Sequence, residues 1–112
     1  MWVIERYGRA RIVFQQIKAE DFVAQEQFDE CWIYNVLQHT EDPEKIIANA
    51  RKSARLLRIF ESIRTITNIG HIHSFTEDQL NGWLKGEGRV ENLHQNSYRG
   101  RGYYGIFVGE EV

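Results

Sequence analysis

Three groups of residues in this 112-residue chain combine side-chain type and spacing in ways that could do chemistry. Arg51, Arg55 and Arg58 stand at i, i+4 and i+7, with Lys52 beside them. On a helix they share one face, and guanidinium forks in a row can follow phosphates or an acidic protein surface. The same face could instead be neutralised by Asp29 and Glu30, if the two helices expected here pack antiparallel. The second group lies in "SYRGRGYYGIFVG", residues 97–109. Glycines around Arg99 and Arg101 would let a turn approach a partner closely, and the arginines would supply forked donors. Tyr98, Tyr103 and Tyr104 could stack on bases or fill the core. On a strand Tyr103 and Tyr104 point to opposite faces, so a one-sided sheet buries at most one of them. The third group is His71 and His73, which share a face of an extended segment at a metal-ligand spacing. A third ligand would have to come from His94, His39, Cys31 or a carboxylate, and none is spaced to compel the assignment.

Composition narrows the classes. The net charge is −2 and 42% of residues are hydrophobic, enough to fill one core. A near-neutral chain does not coat nucleic acid by charge alone, although a local basic face stays open. With one cysteine, Cys31, there is no internal disulfide and no four-cysteine zinc site. The opening "MWVIERYGRARIVF" carries charge from its fifth residue and does not read as a leader, and no stretch is apolar enough for a membrane span. These features lead to the expectation of a single cytoplasmic domain, with no membrane contact and no cofactor. Phosphate-binding loops, nucleotide fingerprints, nucleophile elbows and zinc-protease motifs are absent.

The elements that would position these groups follow from periodicity. Residues 2–7 and 10–17 read as strands about Gly8. Phe28, Trp32 and Val36 recur at i, i+4 and i+8, which predicts a helix over about 20–39. Asp42 and Pro43 form a helix start, and the pattern carries that helix from 43 to about 67, with the arginine row on it. Thr76 and Gln79 make a capping box and Phe75 can staple to Leu80, so a helix runs to about Lys85. The remainder reads as strands with a turn at residues 99–102. The expected architecture is α+β, with a small antiparallel sheet from both chain ends packed on about three helices.

The order of helix 43–67, connector 69–75, helix 77–85 and hairpin 96–108 resembles the winged-helix layout. That resemblance implies a recognition helix at "RVENLHQ", residues 89–95, and an arginine-tipped wing. The His-Ile-His segment is similar to the metal motif of rolling-circle replication initiators, but no tyrosine sits on a helix after it. "RGYYGIFV" partly matches the aromatic strand of RNA-recognition folds, with an extra residue after Tyr103 and a different place in the chain order.

Three functions stay in view. The first is a non-catalytic nucleic-acid-binding domain that contacts DNA or RNA through Arg51, Arg55, Arg58, Tyr98, Arg99, Arg101 and Tyr103. The second is a protein-interaction module, such as an adaptor or an inhibitor encoded by a virus or mobile element, set against an acidic surface or using exposed aromatics. The third is a metal-dependent enzyme built on His71 and His73.

Overall fold

In a computed structural model, residues 15–63, 75–95 and 98–110 are described. The expected strands at 2–7 and most of 10–17 lie outside them, as do His71 and His73. The described residues form strand β1 (Phe28–Tyr34), helix α1 (Pro43–Ser53), strand β2 (Ala54–Ile63), helix α2 (Glu77–Leu84), strand β3 (Arg89–Gln95) and strand β4 (Tyr98–Val108). One sheet runs in the order β1-β2-β4-β3. β1 and β2 pair in parallel, while β4 pairs antiparallel with both β2 and β3. The class is α+β, as expected, but the sheet is mixed rather than antiparallel, and two α-helices stand among the described residues.

Helix α1 begins where its signals predict. The Asp42 carboxylate accepts from the Lys45 amide at 3.1 Å, and Pro43 takes the first turn. The helix stops at Ser53, and the chain passes without a loop into β2, where Ala54 is already extended at φ −144°. The expected helix to residue 67 is therefore wrong over Ala54–Ile63, and residues 64–67 lie outside the described ones. No proline or glycine marks the change. What decides it is tertiary, because β2 is flanked on both sides by strands that satisfy its amides and carbonyls. The expected helix over 20–39 is also replaced, by a short 3-10 turn at Ala19–Asp21 and then β1.

Helix α2 follows its sequence. Thr76 Oγ1 accepts from the Gln79 amide at 3.1 Å, and Phe75 and Leu80 are both buried. Lys85 ends it in the left-handed region at φ 54°. Residues 89–95 then form strand β3, which removes the recognition helix of the winged-helix alternative. The expected turn at 99–102 lies inside β4, since Gln95 pairs with Tyr98 and the ladder continues through Gly102.

The core sits between one face of the sheet and the helices. Ile46, Ile47 and Ala50 of α1 and Leu80 and Leu84 of α2 cover Ile33, Leu57, Ile59, Tyr103 and Phe107 of the strands. The loop after β1 is tied to this layer by Glu61, whose Oε1 accepts from the amides of Val36 at 3.0 Å and Leu37 at 2.9 Å. Burial pushes the Glu61 carboxyl above the ordinary carboxylate range, an effect that the two amides partly offset. The C-terminal residues close over the α1–β2 junction. The Gly109 amide donates to the Arg55 carbonyl and the Glu110 amide to the Arg51 carbonyl, each at 2.7 Å.

Candidate binding face of the sheet

The inner strands carry apolar side chains on both faces. In β2, Leu57 and Ile59 point to the helices while Leu56 and Phe60 point away. In β4, Tyr103 and Phe107 point inward while Tyr104, Ile106 and Val108 point away. Strand register collects the outward residues into three rows. One is Glu30, Leu56 and Val108; the next is Trp32, Arg58 and Ile106; the third is Tyr34, Phe60, Tyr104 and Arg89. Trp32 is 63% exposed, Ile106 58% and Val108 69%. The Trp32 and Tyr34 rings stack at 5.8 Å between centroids. Beside them lies an open hollow of about 630 Å³, walled by Tyr34, Arg58, Phe60, Arg89, Tyr104 and Ile106.

The charges on this face are satisfied among themselves. Arg58 Nε donates to Glu30 Oε1, and that guanidinium holds the Glu30 carboxyl below its usual range. Arg89 lies 3.7 Å from Glu91 and 5.8 Å from the centroid of the Tyr104 ring. The Tyr104 hydroxyl donates to Glu91 Oε1 at 2.7 Å, which raises its pKa because the carboxylate favours the protonated phenol. Two arginines and two glutamates thus balance on this face, the Arg58–Glu30 pair among its apolar residues and the Arg89–Glu91 pair on its β3 edge.

The residues singled out from sequence land apart. Arg51 lies in the last turn of α1, 9% exposed, with Nη1 3.3 Å from Glu110. Arg55 and Arg58 belong to β2, and Arg55 reaches Asp29 at 3.3 Å. The helical arginine row therefore does not exist, because β2 starts at residue 54. Its neutralisation by Asp29 and Glu30 does occur, across parallel strands instead of between helices. Tyr103 is fully buried, with its hydroxyl donating to Asn81 Oδ1 at 2.7 Å, so it presents nothing to a partner. Arg101 is exposed on β4, and the backbone places Tyr98 and Arg99 at the start of the same strand. Tyr98, Arg99 and Arg101 thus share an extended strand rather than a turn. Among the described residues, no three of His, Cys, Asp or Glu come together as a metal site. No described helix is long and apolar enough to cross a membrane.

Sequence reading missed Trp32, Tyr34, Phe60 and Ile106 as a surface. The available signal was the unbroken apolar run of "LLRIF" and "YYGIFV", which alternation on a one-sided sheet would not produce.

No family model matches the chain, and no curated protein matches it. Two solved structures share its fold. One is the N-terminal domain of EvdMO1 with SAH bound, at a TM-score of 0.58 and 14% identity, covering 97% of this chain and 58% of that one. The other is the same domain in the presence of SAH and D-fucose, also at 0.58 and 14%, covering 97% of this chain and 60% of that one. The likeness is one of fold, and this chain spans under two thirds of that domain's length.

Proposed function

We propose that this chain is a non-catalytic binding domain that docks a protein through the open face of its sheet. The observation that carries the reading is that β2 and β4 are apolar on both faces while, among the described residues, helices cover only one. Strands of this kind belong to sheets covered twice, and a contiguous exposed apolar patch marks an interaction surface. Because the charges of the face pair with one another, the surface that fits is apolar and uncharged rather than acidic.

The experiment places a photo-crosslinking residue at Tyr34 on the face or at Lys52 on α1. Protein crosslinks at position 34, lost on Ile106→Glu and absent at position 52, are the expected result. Equal crosslinking at both positions, or none at 34, refutes the reading.

A second reading, single-stranded nucleic acid, is favoured by the stacked Trp32 and Tyr34 rings on the open face. It predicts a mobility shift that weakens steeply with salt and is lost in Trp32→Ala/Tyr34→Ala. No shift at low salt removes it.

A further inference from the structure

We propose that the occupant of the open sheet face is a second copy of this chain, an inference that rests on the docking reading above. The face carries exposed aromatic rings at one margin, on β1, and a guanidinium at the other, on β3. Trp32 stands out on β1, one margin of the sheet, at 63% exposure. The hollow of about 630 Å³ runs across all four strands, from Tyr34 on β1 past Phe60 and Tyr104 to Arg89 on β3. When two such faces meet about a two-fold axis running along the strands between β2 and β4, β1 of each copy lies over β3 of its partner. Rotation about that axis keeps each residue at its own level along the strands, so each Tyr34 meets the partner's Arg89, a guanidinium already placed over an aromatic ring, while Trp32, stacked on Tyr34, covers the partner's hollow beside Ile106. The contact is made twice by one operation, as an isologous interface requires.

Charge and area agree with this occupant. The face bears Glu30 and Glu91 against Arg58 and Arg89, so two copies meet without net repulsion. Four strands about 4.8 Å apart and three rows of side chains give a face of roughly 20 by 20 Å. Side-chain relief raises that to about 500 Å² per copy, or about 1,000 Å² in all, the lower limit for a specific interface. The dimer is therefore weak and forms with concentration.

Sedimentation equilibrium of the purified chain from about 2 to 400 µM tests the proposal. The expected result is monomer at the lowest concentration and dimer at the highest. Trp32→Glu should remain monomeric throughout, and Arg89→Glu should weaken association at least tenfold. Lys52→Glu, on the helical side, should change nothing. Circular dichroism checks that each variant folds. A wild type that stays monomeric at 400 µM overturns the second copy, as does a dimer indifferent to both Trp32→Glu and Arg89→Glu. An apolar dye separates the two levels of argument. If a monomeric wild type enhances dye fluorescence and Ile106→Glu abolishes it, the docking face stands and only its occupant is wrong. If a monomeric wild type gives no enhancement, both readings fall.

Discussion

Tyr103 and Tyr104 are adjacent and chemically identical, yet the structure assigns them opposite roles, and substitution separates these. Tyr103 is fully buried; its ring stacks on Phe107 with centroids 6.2 Å apart, and a Cβ on Gly88 would lie 2.3 Å from it. Burial pushes its hydroxyl pKa well above the ordinary phenol range. Tyr103→Phe removes one hydrogen bond to Asn81 Oδ1. That oxygen still accepts from the Gly88 amide at 2.9 Å, so no acceptor is orphaned. The loss should be about 1 kcal/mol, a fall of about 4 °C in Tm for a domain of this size. Tyr103→Ala should empty the centre of the core and cost about 4 kcal/mol, enough to unfold a marginal domain. Tyr104→Phe breaks an exposed bond to Glu91 and should leave Tm unchanged within error. Urea denaturation monitored by circular dichroism measures all three. If Tyr103→Phe were silent while Tyr104→Phe cost about 1 kcal/mol, the inward and outward faces of β4 would be inverted, and the binding face with them.

Two further perturbations probe the scaffold. Gly109→Ala should destabilise the domain by about 2 kcal/mol or more, because the new Cβ would lie 1.9 Å from the Ala54 carbonyl oxygen and 2.8 Å from that of Arg51; both are backbone and cannot move aside. Thermal unfolding reads this, and a silent substitution would refute the closure over the α1–β2 junction. Glu61→Gln tests the buried carboxyl. Its folded pKa is raised, so its contribution to stability is greatest below the unfolded pKa of about 4.3 and declines as pH rises toward the folded value. The glutamine variant lacks that decline, so its stability relative to wild type should climb from about pH 4.3 and then level off. A difference independent of pH would show Glu61 to be unshifted.

Local chemistry made parts of the fold legible. Asp42-Pro43 and the Thr76–Gln79 box mark helix starts whose donors and caps lie within one turn, and both are found. The opposite orientation of Tyr103 and Tyr104 follows from the pleat alone. The two false helices have separate causes. Phe28, Trp32 and Val36 are spaced by four, which fits a helical period but is also an even number, so on a strand such residues share a face. Phe28 and Trp32 do so on β1. Ala54 to Ile63 continues the apolar spacing of α1 with no breaker, and only pairing with β1 and β4 converts it to a strand. The candidate site fell with that error. Arginines placed on a helix formed a row, whereas on β2 Arg55 and Arg58 point to opposite faces, each to its own carboxylate. The aromatic surface was hidden because residues assigned to helices could not be seen to line up across strands.

The placement of β4 between β2 and β3 has a consequence for synthesis. β4 follows its two neighbours in the chain, so as the polypeptide leaves the ribosome β2 must wait for it with one edge bare and β3 without its partner in the sheet. β2 waits longest, with both of its faces apolar. Such a nascent chain cannot condense from its N-terminal end one element at a time. Its sheet assembles late, around the arriving β4, and until then β2 is a segment on which a holding chaperone would find purchase.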